Sequence, residues 1–459
     1  MEVLRNRRIF AAKYKTFAMK RALLSLSLII LHFSGSVAQS LEECQQAAER
    51  NYPLIRQYDL ISKTTDLTVS NIQKGWLPQV SAQAQATWQT DVTAFPESMQ
   101  AFYRQAGIDM KGLKKDQYRV GIDVQQTVYD GGTIKHAKES ARRQGELEEA
   151  QTEVTLYQIR RRVNEMYFGL LLLDEQIRLN SDLQTVLEGN EKKLQSMYER
   201  GTAAESDYLS VKAERLNVVQ QATALDAQRR ATARMMSAFC GIAAPTPSPR
   251  EGVLDSLMTQ YVGKGHQHSS AGDDFGRLRP ELKAIDAQLR LADAQEKALD
   301  AALMPKFGVF AQGFYGYPGY NMFDDMMHRQ WSWNGMVGAR LTWNIGALYT
   351  RKNDRARIQL RREMAENSRD VFLFNNNIEQ IQQNEDIERY RRLMAADEEI
   401  ISLRSSVRKA AESKLAHGII DVNDLVKEIN AENNARVQQT IHEIEMLKEI
   451  YDLKFTINE

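Results

Sequence analysis

The chain has 459 residues, 43% of them hydrophobic, enough to bury sizeable cores and to build two or three ordinary domains. Its sixty basic and sixty acidic residues cancel, which excludes a global field favouring nucleic acid or an anionic membrane surface. Two cysteines, Cys44 and Cys240, are too few for a disulfide framework and read equally as one pair in an oxidising compartment or as two buried thiols.

At the N-terminus, Lys20 and Arg21 precede an apolar run from Ala22 to Phe33 and then Ser36-Val37-Ala38. Basic, apolar and small-residue segments in that order predict a secretory signal peptide over residues 1–38, with Met1 and Met19 both open as the start. The apolar run is too short to span a bilayer as a helix. No later segment reaches that length without charges, so a mature chain that crosses a membrane must do so with strands closed into a barrel.

Residues 39–245 read as a first structural repeat. After an opening helix, Val80, Ala82, Ala84, Ala86 and Trp88 alternate with Gln79, Ser81, Gln83, Gln85, Thr87 and Gln89, the period of a strand with one apolar and one wet face. The same pattern returns from Tyr118 to Gln126, giving an expected strand pair over 79–90 and 117–128. The stretch between Asp91 and Asp116 is expected to be a loop. From Thr133 onward no proline interrupts the chain until Pro245, and apolar residues fall at steps of three and four at Leu147, Ala150, Val154 and Tyr157 and then again at Val163, Met166 and Leu170. This predicts a coiled-coil hairpin over 133–240, its first helix on the order of 100 Å long.

A linker over 246–279 carries Pro247, Pro249 and a polar stretch with His266 and His268, which lack the companions of a metal site. Residues 280–459 then repeat the first plan. Pro53 and Pro280, like Pro78 and Pro305, are 227 positions apart; Gly201 and Gly418, like Asp207 and Asp424, are 217 apart. The second copy has an expected strand pair over 306–316 and 333–344 and a hairpin over 347–454, with a loop from Pro318 to Gln330.

Strands of nine to eleven residues with aromatic ends have the length that crosses a bilayer when tilted. Four of them leave two open edges, so several chains must pool their strands, and three chains give an even twelve. The expected fold is therefore α+β, mainly α: four transmembrane strands per protomer in a shared twelve-stranded β-barrel, and long helical hairpins forming an α-barrel. No Gly-rich phosphate loop, zinc spacing or nucleophile motif is present, so no catalytic activity, cofactor or metal is expected. A pore-less periplasmic scaffold or adaptor with long hairpins is the alternative.

The order of signal peptide, strand pair, hairpin, linker, strand pair and hairpin resembles the TolC family of outer-membrane efflux proteins. So do Ser40-Leu41-Glu42-Glu43 with Asn51 and Pro53, Leu77-Pro78, Val128-Tyr129-Asp130-Gly131-Gly132, Gly201 through Asp207-Tyr208-Leu209, and Gly418 through Asp424-Leu425-Val426. The resemblance implies a homotrimer in the outer membrane of a Gram-negative bacterium, with a periplasmic tunnel docked on an adaptor (membrane fusion) protein and an inner-membrane pump. Gly201 and Gly418 would cap the hairpin turns, and Asp424 from three chains would narrow the tunnel in an acidic ring. The sequence departs from the family's best-known pattern at Lys427 and Ile420, where a second acid and a basic tie are expected. Asp207, Asp424 and Lys427 are therefore the expected constriction, with Lys427 positioned to pair with Asp424 or with a neighbouring Asp207.

Overall fold

A computed structural model describes residues 40–241 and 279–458. The expected signal peptide and most of the linker, including His266 and His268, lie outside the described residues. The fold is α+β and mainly α. In chain order it has α1 (Leu41–Asn51), α2 (Arg56–Gln73), β1 (Gln79–Trp88), α3 (Glu97–Gln105), β2 (Asp116–Tyr129), α4 (Thr133–Glu199) and α5 (Glu205–Cys240). There follow α6 (Pro280–Ala302), β3 (Lys306–Tyr317), α7 (Met322–His328), β4 (Ser332–Thr342), α8 (Arg351–Ala416) and α9 (Val422–Ile457). The connections expected as loops thus contain the short helices α3 and α7. No described helix is both long and apolar enough to cross a membrane.

The chain divides into two compact units, one within 1–55, 156–272 and 376–459 and the other within 56–155 and 273–375. Each unit draws on residues from both halves of the chain.

The second unit holds the sheet, whose strands lie in the order β1-β2-β3-β4, each antiparallel to its neighbour. The turn out of β2 shows why its motif has that composition. Asp130 is buried and accepts hydrogen bonds from the amides of Gly132 (2.8 Å) and Ile134 (2.6 Å), satisfying the first donors of α4. Gly131 has φ +67°, and a Cβ there would lie 2.3 Å from Cβ of Met304, so both backbone and space require glycine. Ion pairs tie the helices of this unit, among them Lys283–Glu153 (2.8 Å), Arg355–Asp300 (2.8 Å) and Arg362–Asp293 (2.6 Å). The α3 and α7 connections share a small apolar cluster of Met110, Leu113, Tyr317 and Met326, and the Tyr317 hydroxyl accepts from the Lys114 amide.

In the first unit, α1 starts at a capping box: Ser40 Oγ accepts from the Glu43 amide, and the Glu43 carboxylate accepts from the Ser40 amide. Its inward face packs on the end of α5. Cys44 and Cys240 are both buried and are not joined by a disulfide in this structure; the Cys240 thiol donates to the Cys44 carbonyl at 3.4 Å. Asn51 donates to the carbonyls of Ala238 and Phe239, closing the end of α5. A buried Asn164 accepts from Gln45 at 2.6 Å and donates to Asp452 at 3.2 Å, so its amide is satisfied on both sides. Tyr157 stacks on Phe455 at 4.5 Å and donates to its carbonyl at 2.6 Å.

Candidate functional site

Two places in the described residues carry features that folding alone does not use: the sheet in one unit and the hairpin turns in the other. In the sheet, register decides which residues share a face. Ala82 stands opposite Ile122, Ile122 opposite Gly313, and Gly313 opposite Gly335; Ala84, Val120, Tyr315 and Trp333 form the next row. One face is thus built from Val80, Ala82, Ala84, Val120, Ile122, Val124, Val309, Ala311, Val337, Ala339 and Leu341, in register across all four strands. Val337 is 82% exposed and Leu341 71% exposed, although apolar side chains of this size are normally buried in a protein that meets only water.

Aromatic residues collect at both ends of this face. Tyr118 stacks on Trp331 (6.0 Å), and Tyr315 packs against Trp331 and Trp333 (5.4 and 5.1 Å). At the opposite end a bulge between Thr127 and Tyr129 shifts the register, so that Tyr129 stands opposite Phe307 and joins the apolar face. From Trp333 to Leu341 the face extends about 27 Å along the strand at ~3.4 Å per residue. Trp343, expected within the last strand, lies just beyond β4, where its indole donates to the Leu303 carbonyl. The reverse face carries Gln79, Ser81, Gln83, Gln85, Arg119, Asp123, Gln312, Asn334 and Arg340. Within the described chain β1 and β4 are the two edges of the sheet.

The hairpin turns repeat one geometry. Gly201 has φ +74° and Gly418 φ +69°. Thr202 donates its amide to the Met197 carbonyl (2.8 Å), and Ile419 to that of Lys414 (2.9 Å), the same five-residue span in both. These are the backbone bonds of a helix that closes through a left-handed glycine. Inside the turns, Leu183, Leu187 and Leu194 of α4 and Val211 and Val218 of α5 share a core with Ala411 of α8 and Val422, Leu425 and Ile429 of α9. Asn430 reaches across to Glu214 at 2.7 Å.

This core brings the two hairpins together and sets the expected constriction residues on its turn side. Asp424 and Lys427 are exposed and Asp207 is half-buried. Among the described residues no ion pair joins Lys427 to Asp424 or to Asp207 in the single chain. The sequence reading missed Asp421, whose side chain accepts from the Asp424 amide at 2.9 Å and caps α9. It also missed Glu432, a carboxylate buried on α9 that receives hydrogen bonds from Arg408 and Arg436. Burial works against its charge, but the bonds from Arg436 and Arg408 outweigh it and hold the carboxyl below its ordinary value. The sequence shows only the Glu432–Arg436 spacing on one helix, and the decisive Arg408 lies on another.

The exposed apolar band, its aromatic ends and the paired hairpins define the class: the fold is that of bacterial outer-membrane channels. The chain aligns with the outer-membrane channel OprN at TM-score 0.61 and 15% identity, covering 91% of this chain and 89% of that one. The CmeC outer membrane channel of Campylobacter jejuni aligns at 0.60 and 11% identity (91% and 85%), and the outer membrane protein VceC of Vibrio cholerae at 0.60 and 13% (91% and 94%). At such identities the likeness establishes the fold. Residues 44–241 match the family described as outer membrane efflux protein. That stretch, a little under half of the chain, is similar to the TolC-like outer-membrane efflux proteins, which are channels and not enzymes. A comparison with curated proteins found no match.

Proposed function

We propose that three copies of this chain assemble in the outer membrane of a Gram-negative bacterium as the passive exit duct of a tripartite efflux or type I secretion system. The observation that carries this reading is the four-stranded sheet with one continuous, exposed apolar face and two open edges. In water that face and those edges invite aggregation; in a bilayer an open edge leaves unpaired amides in hydrocarbon. Pairing β4 of one copy with β1 of the next removes every edge, puts the apolar face against lipid and leaves the polar face lining a pore.

The eight long helices of two protomers and the four of the third then form the periplasmic duct, and an adaptor protein and inner-membrane pump supply the energy that a passive conduit lacks. The signal peptide at residues 1–38 delivers the chain, and residues 39–245 and 280–459 act as equivalent repeats around the 246–279 linker. Asp207 and Asp424 from three chains ring the duct's end, and Lys427, unpaired with either within one chain, meets a neighbouring copy.

The test is single-channel recording of the purified protein in a planar bilayer, with native mass spectrometry of the same sample. Discrete conductance steps from a trimer support the reading. A monomer that leaves the bilayer silent overturns it. Asp424→Ala and Lys427→Ala change the step size or its cation preference if the constriction is correctly assigned; unchanged steps move it elsewhere.

A further inference from the structure

On the polar face of the sheet, one four-residue arrangement occurs twice. Between β2 and β3, Arg119 stands opposite Gly316 and Gly121 opposite Phe314; between β3 and β4, Arg340 stands opposite Gly308 and Gly338 opposite Phe310. Each glycine leaves room for the phenylalanine opposite it. A Cβ on Gly121 would lie 2.6 Å from Cβ of Phe314, and one on Gly338 would lie 2.8 Å from Cζ of Phe310. The Phe310 ring thus lies over Gly338 of the neighbouring strand, and each arginine lies over a ring with its Cζ 4.9 Å from the centroid. The two stacks are four residues apart on β3, about 13 Å at ~3.3 Å per residue.

Among the described residues no carboxylate pairs with Arg119, Arg340 or Lys306, which follows the same alternation onto this face. Asp123 is the one acid on the strands of this face, so the face is net cationic. Its charge is also held still: a guanidinium stacked on a ring that is itself packed on backbone loses the freedom of an ordinary surface arginine. Beside the second stack, where Gly308 carries no side chain, a recess of about 280 Å³ opens, lined by Lys306, Phe310, Arg340, Gln125 and Thr342. Two cations, an aromatic edge and two neutral polar groups around one opening suit an anion with a flat apolar body.

We propose that this face is an anion-conducting track whose strongest point, the recess between Lys306 and Arg340 beside Phe310, binds flat aromatic carboxylates or sulfonates. The anionic group takes the Lys306 ammonium and the outward donors of Arg340, and the flat body lies against Phe310 and the open side of the guanidinium. The assignment rests on the reading that the polar face lines a pore. In three copies the arginines repeat around the wall as rings, the arrangement that favours anions in pores.

The experiment is block of the reconstituted channel by 1-naphthalenesulfonate, with the naphthyl trimethylammonium cation as its control, in wild type, Lys306→Gln/Arg340→Gln and Phe310→Leu. The expected result is block of wild type by the sulfonate, about tenfold weaker in the double variant and a few-fold weaker in Phe310→Leu, which keeps both charges. The cation is expected to block no better in wild type than in the double variant, and the reversal potential in a KCl gradient to move toward cation preference in the double variant. Conducting channels whose sulfonate block is the same in all three proteins overturn the proposal while the pore stands. If wild type does not conduct, the pore reading fails, and equilibrium dialysis of the sulfonate against the three solubilised proteins decides the recess by itself: equal retention overturns it, and loss in both variants upholds it.

Discussion

Leu187 and Val337 are both large aliphatic residues in regular structure, yet Leu187 is fully buried in the hairpin core and Val337 is 82% exposed on the sheet. The same contrast separates Val211 and Leu425, at 1% exposure, from Trp333 at 81% and Leu341 at 71%. Each set follows its own helix or strand period, so the difference lies in what covers the apolar side. In the hairpins other helices of the same chain cover it. On the sheet nothing among the described residues does, and in the proposed membrane setting a nonpolar solvent is the covering that makes the pattern favourable.

Substitutions can break this comparison, and the largest effect is expected at the buried end. Leu187→Ala removes a side chain with no exposed surface and should destabilise the helical unit by about 3–4 kcal/mol, read as a lower melting temperature in detergent. Val337→Ala on the sheet should barely move that melting temperature. An equal loss at both positions would mean that the sheet face is covered by protein.

Val337→Arg puts a charge near the middle of the apolar face and should cost about 2–4 kcal/mol of membrane insertion, measured as the folded fraction recovered in lipid vesicles. Ser81→Arg, on the reverse face, should insert almost as wild type. Were both to insert equally well, the apolar face would not be the lipid face.

Glu432→Ala sharpens the helical side, because it strands Arg408 and removes a buried charge pair; a loss of about 2 kcal/mol is expected, less than for a dry pair because Arg436 is about half exposed. The folded-state value of Glu432 is depressed below its ordinary 4.5, so its contribution is present above that value and disappears as pH falls through the lower, folded one. Melting curves of wild type should therefore fall more steeply below pH 4.5 than those of Glu432→Gln. The smallest expected effects are at the turns: Gly201→Ala and Gly418→Ala should each cost about 1 kcal/mol, since a Cβ meets no neighbour there and only the left-handed backbone opposes it.

The features legible in the sequence were those written in short-range order. Alternation with period two marked β1 and β2, and steps of three and four marked α4, because side-chain direction repeats locally along a strand or helix. Gly201 and Gly418 were legible because a helix that closes through a left-handed residue favours glycine. Trp343 was assigned to the last strand because its alternation continues, but alternation does not report where the ladder ends. The helices α3 and α7 were missed because nine and seven residues are too few to display a helical period, and a small cluster shared between two connections supports them.

What only the tertiary structure decided depends on residues far apart in the chain. Glu432 and Arg408 are 24 positions apart on different helices, and their pairing comes from hairpin packing. Arg119 and Phe314 come from opposite halves of the sequence, and only the β2–β3 register sets one over the other. Periodicity fixes which side of an element is apolar, because neighbouring residues suffice to set it; which partners meet across elements depends on register and packing, which no local pattern contains.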